Sequence, residues 1–177
     1  MSKRLVVYLA ISTIGLTSCG ESPPSAPACR VKDQQIPIQP ANAACIIRLD
    51  GKLLTVTHRL SGKYDVPGGT SDGSESAQCT AHRETWEETG FNVEVVKWLG
   101  ENENHLHYFA CTLAGNFDGS ITQFPLPAWS HTEIQNIQLI DPYAITDRQW
   151  RFSERLNSLR AMFNQVEDSK NAVKPHR

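Results

Sequence analysis

From residue 43 onward the apolar positions follow two periods. The runs 43–49 and 53–58 are short, rich in Ile, Leu and Val, and separated by Asp50-Gly51. They predict a β-hairpin, because an Asp-Gly pair accepts the positive φ that a tight turn between twisted strands requires. Residues 59–75 break the pattern with Ser61-Gly62, Pro67-Gly68-Gly69 and Asp72-Gly73, which predict a loop. The segment 76–89 holds no Gly or Pro and stops at Gly90, the signature of a helix with a left-handed end. Strands are predicted at 92–99, 105–113 and 134–140. In 147–166 the residues Trp150, Phe152, Leu156, Leu159, Met162, Phe163 and Val166 mostly recur every three or four positions, predicting an amphipathic C-terminal helix. Strands flanking one central helix, with a second at the end, predict an α/β sandwich of helices on a mixed sheet.

The amino terminus reads differently. Lys3 and Arg4 precede an uncharged, mostly apolar run at 5–16. As a helix this run spans about 18 Å, short of the roughly 30 Å hydrocarbon core, so it predicts a signal peptide rather than a membrane span. Leu16-Thr17-Ser18-Cys19-Gly20 resembles the lipobox of bacterial lipoproteins. That resemblance implies cleavage after residue 18, lipidation of Cys19 and, with Gly20 in place of Asp, an outer-membrane anchor on the periplasmic side. Residues 19–41 hold five of the ten prolines and predict a tether. The expected organisation is a leader at 1–18, this tether, a folded domain at 42–166 and a flexible tail at 167–177.

Charge narrows the partners. Seventeen basic and nineteen acidic residues give a net charge of −2, and loss of Lys3 and Arg4 with the leader takes it to −4. No general field for a nucleic acid polymer exists. Cys29, Cys45, Cys79 and Cys111 remain once Cys19 carries lipid. An even number in an oxidising compartment permits two disulfides in any of three pairings.

The chemistry concentrates on the central helix. Glu84, Glu87 and Glu88 stand at i, i+3 and i+4, so three carboxylates share one face. They also lie in the last turns, where the helix dipole repels anions. A bound divalent cation compensates both penalties, and an all-oxygen set suits Mg²⁺ or Mn²⁺. Ala77, Ala81 and Thr85 form a stripe of small residues that lets the helix press on a sheet. Arg83 is placed to hold a carboxylate rotamer, and Gly68-Gly69 lets backbone approach the site.

Gly69, Glu75 and the run from Arg83-Glu84 through Glu87-Glu88 to Gly90 together resemble the Nudix box of nucleoside diphosphate-X hydrolases. All charged and glycine positions of that 23-residue signature match, with Thr85 where the family carries an aliphatic residue or Ala. The resemblance implies a Nudix α/β/α sandwich and metal-dependent attack of water on a diphosphate linkage of a small-molecule substrate. It implies Glu84, Glu87, Glu88 and the Gly68 carbonyl as metal ligands. Glu84 or Glu87 would also polarise water, Arg83 would orient, and Glu75 would partner Arg83. A base outside the box would be Glu133, Glu103 or Glu101. Candidate substrate contacts are His58, Arg59, Tyr108 and Trp129, in a monomer or homodimer. The alternative reading is a Nudix-fold module that binds a nucleotide or glycan diphosphate on the envelope without turnover.

Overall fold

The computed structural model of the protein describes residues 22–32, 38–113 and 121–169. The leader and Cys19 lie outside them. The predicted hairpin forms as β1 (Ala43–Leu49) and β2 (Lys52–His58), with Asp50 and Gly51 both at positive φ. The turn-rich loop contains two short strands, β3 (Tyr64–Asp65) and β4 (Gly68–Gly69). The central helix α1 (Ala77–Thr89) starts at Ser76, whose hydroxyl accepts from the Cys79 N–H, and ends at Gly90 with φ 72°. There follow β5 (Val93–Glu101), β6 (His107–Leu113), β7 (Gln123–Phe124) and β8 (Ile134–Ile140), with a 3₁₀ turn at Ala128–Thr132 before β8.

The sheet runs β5-β6-β1-β2-β8-β7 and is mixed: β1 and β6 are parallel, the other pairs antiparallel. Its decisive irregularity is a fork. β1 and β2 pair only beside their turn, at Arg48–Leu53 and Leu49–Lys52, and then diverge. β3 pairs with β2 and β4 with β1, so residues 64–69 fill the opening.

Alternation along β1 assigns the two faces. Ala43, Cys45, Ile47 and Leu49 pack with Ala77 and Ala81 of α1, while Ala44 and Ile46 face Trp150, Leu156, Leu159 and Phe163. This is the expected three-layer sandwich. The small stripe is fully buried at Ala77, Ala81 and Thr85, and Thr85 satisfies its hydroxyl by donating to the Ala81 carbonyl at 2.7 Å. Thr at that slot therefore leaves no buried polar group unpaired.

The C-terminal helix is shorter than expected. Only a 3₁₀ turn at Ser153–Arg155 and α2 (Leu156–Phe163) are helical. Residues 149–151 instead pair with β3: the Tyr64 N–H donates to the Gln149 carbonyl, and the Arg151 N–H to the Tyr64 carbonyl. With the Gln149 carbonyl and the Arg151 N–H engaged by Tyr64, regular helical structure starts only at Ser153.

Within 19–41, described residues make contacts with the domain. Arg30 and Lys32 exchange backbone hydrogen bonds with Val95, and the Ile38 N–H donates to Gln78 Oε1 at 2.8 Å. Cys29 is disulfide-bonded to Cys79 on α1, and Cys45 to Cys111 across the parallel strands. These links span 50 and 66 residues, separations at which a crosslink contributes about 4 kcal/mol in the chain-entropy picture. The tail reading also shifts, since the Asp168 carboxylate accepts from the Asp50 and Gly51 N–H groups and closes the hairpin turn. Among the described residues no helix is long and apolar enough to cross a membrane.

Candidate functional site

The fork positions the chemistry. Because β4 sits against β1, Gly68 and Gly69 run directly under the C-terminal half of α1. A Cβ on Gly69 would collide with the Glu84 carboxylate, and one on Gly68 with Ala43 and Ala44. Only glycine lets the strand and the helix carboxylates approach this closely.

One side of α1 carries a closed ionic network. Arg83 engages Glu75 Oε1 through Nε at 2.8 Å and Nη2 at 2.7 Å. Its Nη1 donates to both Glu84 Oε1 and Glu87 Oε2 at 2.9 Å, and Nη2 also reaches the Thr70 carbonyl. Burial disfavours the charged guanidinium, yet the Glu75 hydrogen bond and the charges of Glu84 and Glu87 raise its pKa overall. The fork geometry of Arg thus fixes three carboxylates at once.

The other side is buried and unbalanced. Glu88 is 4% exposed, and its Oε2 accepts from the Gly68 N–H at 2.9 Å. Burial pushes its pKa well above the ordinary carboxylate value despite that bond, and the charges of Glu133, Asp65 and Glu84 push the same way. Burial also raises Glu84, offset by Arg83 and reinforced by Glu87 and Glu133. Asp65 rises to about 6 through burial, against the opposing Val66 N–H and the charges of Arg151 and Arg155. His58 falls to about 4, through burial and then Arg151. His58, Glu88 and Glu133 each present a ligand atom within 4.8 Å of the others.

Residues that share a helix face in sequence are thus joined by four from elsewhere, His58, Asp65, Glu133 and Arg151. Glu133, named among the candidate bases, stands beside Glu84 and Glu88, whereas Glu101 pairs with His107 and Glu103 with Arg155. Asp65 and Arg151 are newly revealed. Neither carried a signal, one lying in a turn-rich loop and the other in a segment read as helix.

Three expected substrate contacts are used elsewhere. Arg59 donates from Nε to the His131 carbonyl and from Nη2 to that of Ile134, clamping the turn that carries Glu133. Trp129 donates its indole N–H to the Glu87 carbonyl at 3.0 Å and packs on Trp86 with centroids 5.9 Å apart, bracing the end of α1. Tyr108 is buried in the α2-side core, its hydroxyl accepting from Asn102. His58 does reach the site, as a buried ring beside Arg151 (2.9 Å) and Asp65 (3.9 Å).

Beside Gly68-Gly69 opens a cleft of about 190 Å³, lined in part by Asn42, Asn104, Arg151, Phe152 and Arg155. Both guanidiniums stand within cation–π reach of the Phe152 ring, at 5.1 and 4.2 Å. The donor set fits a divalent cation. Carboxylates buried side by side repel one another, and a cation among them removes both the repulsion and the burial penalty.

The profile of the NUDIX domain family matches residues 38–156. A MutT-like protein of Streptomyces ambofaciens is 28% identical over 108 residues, covering 58% of this chain and 70% of that protein. Among solved structures, a NUDIX hydrolase from Nitrosomonas europaea superposes with TM-score 0.57 at 18% identity, covering 78% of this chain and 98% of the other. An ADP-ribose pyrophosphatase from Streptococcus suis 89-1591 superposes with TM-score 0.54 at 17% identity, covering 76% and 92%. At these identities the superpositions establish the shared architecture.

Proposed function

The chain belongs to the NUDIX family of hydrolases, and on that premise we propose that it cleaves a diphosphate linkage by water attack, using Mg²⁺ or Mn²⁺ held at the sheet fork. The observation that carries this reading is the convergence of Glu84, Glu133 and the buried Glu88, whose mutual repulsion a bound cation would relieve. Glu84, Glu87, Glu88, Glu133 and the Gly68 backbone are the groups that would hold cations. Bound there, a divalent ion supplies charge neutralisation on phosphoryl oxygens and acidifies water.

The protein's own groups do the rest. Arg83 locks the rotamers of Glu84 and Glu87, so that neither carboxylate must be ordered during the reaction. Glu87 is the most solvent-open of the three helix carboxylates bearing on the site and accepts the proton of the attacking water. The water oxygen bonds to phosphorus as the bridging P–O bond breaks, and the leaving phosphate departs as an anion. The adjoining cleft, with Arg151, Arg155 and two amides, receives the part of the substrate beyond the reacting phosphates.

The address follows the leader. A lipid on Cys19 would hold the domain on the periplasmic side of the outer membrane, and the two disulfides support an oxidising compartment. The described tether residues lie on the domain, so the catalytic body would sit close to the lipid surface. Diphosphates of nucleotide sugars, dinucleotides or envelope glycans are then the accessible substrates.

The test is turnover of nucleotide sugars, dinucleoside polyphosphates, nucleoside triphosphates and a prenyl diphosphate by purified protein with Mg²⁺ or Mn²⁺. Glu87→Gln is expected to lower kcat about 10²–10⁴-fold. Ligand-induced thermal shifts with no turnover in either protein would support the binding-module reading instead.

A further inference from the structure

The two disulfides differ in setting. Cys45 and Cys111 are 0% exposed, bridging the parallel strands β1 and β6. Cys29 is exposed, and its partner Cys79 is half-buried in the first turn of α1. This outer bridge fastens residues 22–32 as a strap onto α1 and β5. The other attachments of the strap are slight. The Trp86 indole N–H donates to the Pro24 carbonyl at 3.3 Å in an exposed position, and Arg30 reaches the Asn92 carbonyl at 3.4 Å and Glu94 at 4.0 Å. The Lys32 N–H donates to the Val95 carbonyl and the Val95 N–H to that of Arg30, while Val31 packs partly buried on the core. These contacts oppose the conformational entropy of ordering the whole strap, so the crosslink decides whether it stays in place.

We propose that Cys29–Cys79 is a reducible latch: a dithiol donor opens it and frees the strap from α1 and β5, while Cys45–Cys111 stays closed and the domain stays folded. The reaction is thiol–disulfide exchange. A donor thiolate bonds to the accessible Cys29 sulfur, and Cys79 leaves as a thiolate. Cys79 is the better leaving group because it lies in the first turn of α1, where the helix dipole favours negative charge. The donor's second thiolate then attacks the donor sulfur of the mixed disulfide and releases Cys29. Two electrons and two protons pass to the cysteine pair, and the donor is left as an internal disulfide. With the lipid proposed on Cys19, opening would move the first contact with the domain from Pro24 to Ile38. The reach from the lipid would grow from about 17 Å to about 65 Å at roughly 3.4 Å per extended residue. That consequence rests on the lipid reading; the latch itself does not.

The test is graded reduction of the purified, oxidised full chain with dithiothreitol, the thiols being alkylated at intervals and mapped by mass spectrometry. Cys29 and Cys79 are expected to label first, with Cys45 and Cys111 at least about tenfold slower because reaching them needs a larger opening. With a monothiol donor, the trapped adduct is expected on Cys29. Hydrogen exchange with only the first bridge open should show lost protection at the Lys32 and Val95 amides and none lost in β1 or β6. The double variant Cys29→Ser, Cys79→Ser should give that pattern without reductant, and the wild-type titration decides alone if the variant does not fold. Simultaneous opening of both bridges overturns the latch, and an adduct on Cys79 overturns the direction of attack. An open bridge with Lys32 and Val95 still protected overturns the release of the strap.

Discussion

The two sides of α1 carry the same residue type and reach opposite electrostatic solutions. On the Arg83 side, Glu75, Glu84 and Glu87 meet one guanidinium within 2.9 Å, and the negative charge is answered inside the protein. On the Glu88 side, the charges of Glu84, Asp65 and the exposed Glu133 bear on the buried Glu88, and burial raises Glu88 and Asp65. On the first side Arg83 orders the carboxylates that the reaction would use. On the proposed reading, a bound divalent cation would balance the second.

The largest expected break in this contrast comes from Glu88→Gln. It should lower divalent-dependent turnover by about 10³-fold or more, yet raise the melting temperature of the metal-free protein, because it removes a buried charge. Calorimetry and a rate assay on the same preparation check both halves. Arg83→Lys should lower stability as well as turnover. A point charge cannot span Glu75, Glu84 and Glu87, and the loss of about 2–3 kcal/mol should appear in denaturant unfolding with or without metal.

Asp65 supplies the pH signature. Its folded-state pKa, about 6, lies above its usual 3.8, so between these values the folded protein binds more protons than the unfolded chain. Asp65 therefore favours folding below about pH 4, and that contribution is lost as pH rises through about 6. His58, lowered from 6.5 to about 4, contributes the opposite slope over nearly the same window. In metal-free Asp65→Asn the Asp65 slope is removed while those of His58, Glu84 and Glu88 remain. The variant's unfolding free energy relative to wild type should thus climb between pH 4 and 6, as measured by unfolding at stepped pH. The smallest effect belongs to Trp129→Phe, which removes one hydrogen bond to the Glu87 carbonyl and should cost about 1 kcal/mol.

What the chain disclosed in advance follows the range of its interactions. The hairpin, α1 and its caps depend on neighbours within a few residues, and the turn pair Asp50-Gly51, Ser76 and Gly90 signalled them directly. The carboxylate face of α1 was equally plain, because 3.6 residues per turn fixes which side chains align. The fork was not. Whether β1 and β2 stay paired or diverge is decided by β3 and β4, two-residue strands with no periodicity of their own. For the same reason Asp65 and Arg151 were hidden, and nothing local to Arg59 or Trp129 signalled that one meets the turn carrying Glu133 and the other the Glu87 carbonyl. The amphipathic pattern at 147–166 was real, but its first third follows β3 rather than a helix, because backbone pairing with Tyr64 took precedence.

The most direct measurement is the initial rate of diphosphate hydrolysis across a Mn²⁺ titration, in wild type and in Glu88→Gln shown by circular dichroism to be folded. Saturable, metal-dependent turnover in the wild type that collapses in the variant is the predicted result. Turnover indifferent to Mn²⁺ and Mg²⁺, or equal rates in the two proteins, would contradict the claim that the carboxylates of α1 hold the catalytic cation.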